Sequence, residues 1–265
     1  MTALVGCSTP RIPATTPTTA GDPPPLRLYA TTATLPLLTD ISDSYAGPEA
    51  LFETRSGSFQ TLYARLLEGE TAYLLTNHVP DSGVMWAAPV AQDGIAVIVH
   101  PETGVDGLTL DQLRDVMQGR ITNWQALGGR DLPIALISRE TGSGTRAEFE
   151  QQVMGPRRTT LAARIASSSA QMVDTVAATA GALGYVSQAH VRFGVRTLAL
   201  NGVLPSAETI ADSRYPLRTM IYVAGLAEPA DDGYRRLIGW LQSPDGQAVV
   251  ARRYVPLVLL PEVTP

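Results

Sequence analysis

The stretch Arg139-Glu140-Thr141-Gly142-Ser143-Gly144-Thr145 is the most informative part of this sequence. It follows an apolar run, Ile134–Ile137, and precedes a helical pattern that continues through Phe149 and Val153. A strand that ends in a turn rich in glycine and hydroxyls, before a helix, gathers N–H groups and the positive end of the helix dipole at one point. The guanidinium of Arg139 can add two parallel hydrogen bonds to an oxyanion. The stretch therefore predicts an anion site within an α/β fold.

The same pattern of strand, hydroxyl side chains and helix occurs at two earlier places. The first is Thr31-Thr32-Ala33-Thr34 before a helix, and the second is Ser56-Gly57-Ser58. Three such helix starts brought together could surround a tetrahedral anion. Ordinary helix capping explains any one of these loops equally well, and Arg139 could instead form a surface salt bridge with Glu140 or Glu148. Both alternatives stay open at this point.

Working outward, apolar runs of strand length alternate with helical periodicity along the chain. This alternation predicts an α/β architecture with mostly parallel sheets. A helical face at Leu37, Leu38, Ile41 and Tyr45 follows the first strand, and Thr109-Leu110-Asp111-Gln112 has the form of a capping box. The strands predicted in this way are Leu26–Ala30, Ala72–Leu75, Ile95–Val99, Ile134–Ile137, Gly184–Ser187, Thr197–Leu200 and Met220–Val223, and a helix is predicted at Tyr234–Leu241.

The composition excludes several classes of function. The 265 residues carry 20 basic and 25 acidic side chains, and no run of basic residues predicts a nucleic-acid partner. Every basic residue except histidine is arginine, so a nucleotide P-loop, which needs lysine, is excluded. The histidines His78, His100 and His190 do not have metal-ligand spacing, and each is most simply read as structural. We expect no metal, no cofactor and no catalytic centre.

One alternative involves a nucleotide cofactor. Gly142-Ser143-Gly144-Thr145-Arg146-Ala147 fits the glycine pattern of a dinucleotide-binding turn. That pattern expects an acidic residue about 20 positions later. The chain has Ser167-Ser168-Ser169 there, so the match is weak. A nucleotide-dependent oxidoreductase remains the least favoured hypothesis.

The N-terminal region predicts a membrane anchor. Leu4-Val5-Gly6-Cys7 is similar to a bacterial lipobox, in which the cysteine thiol receives a lipid. The following residues, through Pro25, are rich in Thr, Pro and Ala and predict an extended, disordered tether. The alternative is a free cysteine in a disordered tail. We expect residues 1–25 to form the anchor and tether, with two acyl chains sufficient for stable attachment.

Several segments together resemble one family. Arg139–Arg146 resembles the anion-binding loop of the substrate-binding proteins of phosphate ABC transporters. Gly119-Arg120-Ile121-Thr122-Asn123-Trp124 is similar to a specific signature of that family. The similarity runs from Leu26 to Leu259 with its motifs in the same order; the other segments are Asp93–Pro101, Leu127–Gly129, Gly181–Val186, Tyr215–Leu217 and Trp240–Gln247.

The resemblance implies the type II fold of periplasmic binding proteins, in which two α/β lobes with mostly parallel sheets are joined by two crossing segments and close on the ligand by a hinge movement. Lobe one would comprise residues 26–90 and 221–260, and lobe two residues 91–220, with hinges near Val90–Asp93 and Leu217–Met220. The resemblance implies ligand-binding roles for nine residues: Thr31, Thr32, Ser58, Thr76, Asn77, Arg139, Ser143, Gly144 and Thr145.

The sequence departs from the family pattern at Asn77. Family members often have an acidic residue there, which would accept the proton of hydrogen phosphate and repel sulfate. An amide oxygen can accept a hydrogen bond but does not exclude an ionised anion by charge. The resemblance therefore implies an oxyanion ligand more firmly than phosphate itself.

The leading hypothesis is an extracytoplasmic, lipid-anchored and monomeric binding protein that delivers inorganic phosphate, or a related oxyanion, to an ABC permease. The second hypothesis is a ligand-sensing or scaffold protein with the same fold.

Overall fold

A computed structural model describes residues 25–47 and 52–257. Cys7 and nearly all of the predicted tether lie outside the described residues. Within them, no helix has the length and apolar character needed to cross a bilayer.

The secondary structure alternates between strands and helices, as the apolar periodicity predicts. The strands are β1 (Leu26–Thr31), β2 (Phe52–Gly57), β3 (Tyr73–Thr76), β4 (Trp86–Val99), β5 (Gly107–Leu108), β6 (Ala135–Arg139), β7 (Arg164–Ala166), β8 (Ala182–Ser187), β9 (Arg196–Thr197), β10 (Ala199–Leu200) and β11 (Arg218–Gly225). The helices are α1 (Leu35–Ser44), α2 (Phe59–Leu67), α3 (Leu110–Met117), α4 (Gly144–Phe149), α5 (Ser169–Ala178), α6 (Ala207–Ala211), α7 (Asp232–Leu241) and α8 (Pro244–Val250).

The strands form two parallel regions joined by a pair of antiparallel strands. The order across the main sheet is β2-β1-β3-β11-β4-β8-β6-β7. β1 pairs in parallel with β2 and β3, and β6 pairs in parallel with β7 and β8. Between them, β4 pairs in an antiparallel manner with β11 over one part of its length and with β8 over the other. The long β4 strand thus runs from one lobe into the other.

The crossing between the lobes is the ladder formed by β4 and β11. Thr219 pairs with Asp93 and Met220 with Gln92, and the register shifts between Ile221 and Tyr222. The predicted hinges, Val90–Asp93 and Leu217–Met220, coincide with this ladder except at Leu217, which directly precedes β11. The lobe boundaries at residues 90–91 and 220–221 stay a prediction; β4 and β11 pair on both sides of them, and Val90 has no partner at the register shift.

Each lobe has its own buried core. In lobe one, Leu37, Leu38 and Ile41 are buried, as the helical face of α1 predicts, and Tyr45 is buried directly after the helix ends. In lobe two, Trp124 is fully buried and donates from Nε1 to Gly181 O at 2.9 Å. Burying one large apolar side chain contributes about 1.5–3 kcal/mol. Because each set of buried side chains lies within one lobe, each core stabilises its own lobe.

Two predicted elements differ from the structure. The strand predicted at Thr197–Leu200 is split into β9 and β10, because Leu198 N donates to Val97 O while Ala199 N donates to Asp106 O, which turns the chain toward β5. The helix predicted through Val153 is α-helical only to Phe149. It then widens into a π-helical turn that closes with Gly155 N donating to Glu150 O at 2.9 Å.

Candidate functional site

Four strand-to-helix turns meet where the two lobes face each other. β1 leads into α1, β2 into α2, β6 into α4 and β7 into α5. Helix capping is real in three of them: Ser58 accepts from Thr61 N, Ser143 from Arg146 N and Ser168 from Gln171 N. Capping uses the acceptor lone pairs of these serines and leaves other first-turn N–H groups without partners inside the helix.

Arg139 lies at the centre of this region and is only 1% exposed. Its Nη2 donates to Thr32 Oγ1 at 3.1 Å across the cleft, and Nη1 donates to Ser169 Oγ at 3.4 Å. Nε and Nη2 also donate to the two carboxylate oxygens of Glu140, at 2.9 and 3.0 Å. The salt bridge with Glu140 that the sequence left as an alternative therefore exists, with the Arg139 side buried and the Glu140 side half-buried, and it holds the guanidinium in place between the lobes.

Ser169 is a site residue that the sequence reasoning missed. Its side chain is fully buried, and its Oγ lies 3.4 Å from Thr32 Oγ1. The signal was present, since Ser168 and Ser169 precede the apolar face of α5 formed by Met172, Val173 and Val176. The strand before it, β7, has only three residues, of which two are exposed, and so gives no apolar run.

Asn77 and Thr145 form a second contact between the lobes. Asn77 is 2% exposed, and its Nδ2 donates to Thr145 Oγ1 at 3.1 Å. Its Oδ1 is buried and has no hydrogen-bond partner among the residues that the structure describes. An acceptor without a partner in this position is available to a ligand that donates a hydrogen bond.

The glycines of the key loop allow lobe one to pack directly against its backbone. Gln60 N donates to Gly142 O at 3.0 Å, and Gly142 has a positive φ of +93°. A Cβ on Gly144 would lie 2.8 Å from His78 Cβ. The glycines thus provide close approach between the lobes, in place of the access to a pyrophosphate that a dinucleotide turn requires.

Three of the predicted ligand residues form side-chain hydrogen bonds with other residues of lobe one. Thr31 Oγ1 lies 3.1 Å from Thr34 Oγ1, and Thr76 Oγ1 accepts from His78 N at 3.1 Å while donating to His78 O. Ser58, half-buried, contacts Thr61. The structure therefore brings together Thr32, Asn77, Arg139, Ser143, Gly144 and Thr145, whereas Thr31, Thr76 and Ser58 shape the facing loops; ligand contact by all nine stays a prediction.

Three ionisable groups near the cleft and the crossing ladder have shifted pKa values, and each is buried or half-buried. His190 Nε2 lies 3.2 Å from Ala33 O, and burial lowers the pKa of His190, with the charge of Arg139 adding to this effect. Burial raises the pKa of Tyr185 to about 12, and its hydroxyl contacts Ser138 Oγ and Arg139 N at the end of β6. Asp93, in the crossing ladder, has its pKa raised by burial to about 7.

Metal ligation has no support in the described part of the chain, where no group of three or more His, Cys, Asp or Glu side chains could hold a metal ion. The chemistry available at this site is the donation of hydrogen bonds by hydroxyls, N–H groups and one guanidinium. Such a set of donors suits an oxyanion.

Comparison with known proteins gives the family. A family model described as a PBP superfamily domain matches residues 52–245. The phosphate-binding protein PstS of Bacillus subtilis (strain 168) is 28% identical over 202 residues, which cover 72% of this chain and 67% of that protein. The phosphate-binding protein PstS of Borreliella burgdorferi is 23% identical over 171 residues, which cover 60% of this chain and 61% of that protein.

A solved structure supports the same assignment. A crystal structure of a candidate phosphate ABC transporter substrate-binding protein from Clostridium perfringens, with bound phosphate, has a TM-score of 0.83 and 25% identity. The match covers 89% of this chain and all of that one. The two-lobed α/β fold and the family resemblance predicted from the sequence are confirmed. The chain belongs to the PBP superfamily.

Proposed function

We propose that this chain is an extracytoplasmic solute-binding protein that captures inorganic phosphate, or a related tetrahedral oxyanion, between its lobes for import by an ABC transporter. The observation that carries the proposal is the position of Arg139. Its guanidinium is buried at the interface of the lobes, where it contacts Thr32 of lobe one and Ser169 of lobe two. A buried cation that links hydroxyls of both lobes suits the capture of an anion by closure.

The anion would be held mainly by dipoles. Glu140 offsets much of the charge of Arg139, so hydroxyls and the N–H groups at the start of α4 supply the remaining stabilisation. α4 continues into the π-helical turn Glu150–Met154, which keeps its peptide dipoles aligned over a longer segment. Buried, preorganised dipoles bind an anion without a net countercharge because the surrounding water is excluded.

The named relatives agree with this chemistry. Both PstS proteins are phosphate-binding proteins by name, and the Clostridium perfringens structure contains phosphate. The aligned part of the chain spans about two thirds of the Bacillus subtilis protein and 61% of the Borreliella burgdorferi protein. We extend the ligand class, and a binding role in place of an enzymatic one, to this chain on the basis of Arg139 and the donors around it.

The proposal includes a location and a partner. We infer that lipidation of Cys7 anchors the protein outside the cytoplasmic membrane, that the following segment acts as a tether, and that a monomer delivers its ligand to an ABC permease. Mass spectrometry of Cys7 in protein isolated from membranes tests the anchor. An unmodified cysteine in that protein would contradict it.

Isothermal titration calorimetry with phosphate, sulfate, molybdate and phosphonates tests the function. We expect phosphate to bind with a dissociation constant well below the millimolar range, because the site provides several donors and one cation. If none of these anions binds at millimolar concentration, the proposed function is wrong. Binding of sulfate or molybdate in place of phosphate would keep the oxyanion class and replace the ligand.

A further inference from the structure

A histidine–glutamate pair joins the lobes next to the candidate site. His78 Nδ1 lies 2.8 Å from Glu148 Oε1, and the two side chains are 16% and 20% exposed. His78 directly follows Asn77, and Glu148 lies three residues after Thr145 in α4. We propose that this pair is a latch, which holds the lobes closed and so sets how slowly a bound anion leaves. The inference rests on the proposed function, since it concerns release from the same site.

The lobe-one side of the latch is held in position before closure. The ring of Phe59 meets the imidazole of His78 edge to face, at 4.8 Å and 82°. The ring of Tyr63 stacks on that of Phe59, with 5.7 Å between the ring centroids. The backbone of His78 is fixed by Thr76 Oγ1, which contacts both its N–H and its carbonyl. A preorganised imidazole loses little conformational freedom when it meets its partner, so more of the interaction energy favours closure.

The lobe-two side of the latch is rigidly coupled to the anion loop. Glu148 belongs to α4, the helix that begins at Gly144. The neighbouring guanidinium of Arg146 donates to Glu150 Oε1 and to Arg139 O, both at 2.9 Å. Arg146 is therefore engaged with its own lobe, while Glu148 points across to His78. A movement of the loop that widens the cleft must also pull Glu148 away from the imidazole.

The interaction between His78 and Glu148 affects the equilibrium between the open and closed arrangements of the lobes. A pair of side chains within one lobe stays in contact when the cleft opens, whereas a pair that joins the two lobes is separated. The interaction energy of His78 and Glu148 therefore favours the closed state over the open state. A cavity of about 180 Å³ lies beside the pair, lined by Phe59, His78 and Ser143 among others. His78 donates from Nδ1 both as the imidazolium and as the neutral tautomer that carries its proton there. The contact with Glu148 is therefore an ion pair in the imidazolium and a hydrogen bond in that neutral tautomer.

The test is a double-mutant cycle of His78→Ala and Glu148→Ala, in which both changes retain the Cβ atom. We expect each single variant to release phosphate about five- to tenfold faster than the wild type in stopped-flow measurements, with the association rate unchanged. The double variant should release it no faster than either single variant. Small-angle X-ray scattering of the ligand-free proteins should show a larger radius of gyration in all three variants.

Glu70→Ala is the matched control, because Glu70 pairs with Arg65 at 2.5 Å within lobe one. It should change neither the dissociation rate nor the radius of gyration. The latch is refuted if the single-variant effects on dissociation add in the double variant, or if both readouts stay at wild-type values. If wild-type protein binds none of phosphate, sulfate, molybdate and phosphonates, the proposed function fails, and the scattering comparison alone then decides for or against the latch.

Discussion

Gly144 allows a direct test of whether binding requires closure of the lobes. A methyl group placed on its Cα would lie 2.8 Å from His78 Cβ, 3.2 Å from Asn77 Oδ1 and 3.5 Å from Phe59 Cβ. All three atoms belong to lobe one, and the two Cβ atoms are bonded directly to its backbone. Gly144→Ala should therefore destabilise the closed arrangement while it leaves the inside of each lobe unstrained. The substitution keeps the Gly144 N–H, so any donor for the anion is retained.

The magnitude follows from the shortest of these contacts. Two carbon atoms pack well at about 3.5–4.0 Å, so the contact with His78 Cβ is too short by about 0.7 Å or more. Relief requires a shift of one backbone segment against the other, and overpacking of this kind costs about 1–3 kcal/mol. If the closed state binds the anion, this cost weakens the affinity by about five- to 150-fold.

Calorimetry with phosphate and thermal unfolding without ligand separate the possible results. We expect a weaker affinity and a nearly unchanged Tm for Gly144→Ala, since the ligand-free lobes can open and remove the clash. Gly239→Ala is the control: this exposed position in α7 has no atom within 4 Å of the added methyl group. It should keep wild-type affinity and gain up to about 1 kcal/mol in stability. Wild-type affinity in Gly144→Ala would refute the requirement for closure.

Three further substitutions test the cleft and its crossing ladder. Arg139→Ala should weaken phosphate binding at least about tenfold in calorimetry, because charge-assisted bonds are lost; unchanged affinity would remove Arg139 from the site. Asn77→Asp should raise the ratio of phosphate to sulfate affinity at least about tenfold, since a carboxylate repels the fully ionised anion and accepts the proton of hydrogen phosphate; an unchanged ratio would place Asn77 away from the ligand. Burial raises the pKa of Asp93 to about 7, so the folded protein holds a proton there that the unfolded chain releases at about pH 4. The free energy of unfolding should therefore fall by about 1.4 kcal/mol per pH unit as the pH rises from about 4 to about 7. Asp93→Asn should lack this slope in urea unfolding between about pH 4.5 and 7.5, and an equal slope in both proteins would contradict the assignment.

Local patterns explain why much of the fold could be predicted. The helical face of α1, the capping box of α3 and the apolar strands β6 and β8 each depend on residues close together in the chain. The loop from Arg139 to Thr145 is similarly local, because one strand end, two glycines and a helix start define it. The sequence was weakest where an element is short or exposed, as for β7, and this is why Ser169 was missed.

Contacts between the lobes could not be read from periodicity. His78 and Glu148 are 70 residues apart, and Arg139 and Thr32 are 107 residues apart. Such pairs depend on how two separately formed lobes are oriented through the ladder of β4 and β11. Hydrophobic patterning specifies which face of each element is buried in its own lobe, but it contains no information on that orientation.

The partner of Arg139 changes how the ligand would be recognised. The sequence left open whether Arg139 is a free cationic fork or part of a salt bridge; in the structure, Glu140 accepts hydrogen bonds from Nε and Nη2 of Arg139. Because the two charges largely cancel, electrostatic attraction alone would discriminate poorly among anions of similar size. Discrimination would then depend on the direction of individual hydrogen bonds.

Asn77 is decisive in that case, since its Nδ2 is committed to Thr145 and its buried Oδ1 can be satisfied only by a donor. Hydrogen phosphate carries such a donor and sulfate does not, and a buried acceptor left unpaired costs about 1–3 kcal/mol. A neutral amide can therefore favour phosphate by about five- to 150-fold, through a different physical effect from the charge repulsion that a carboxylate would provide.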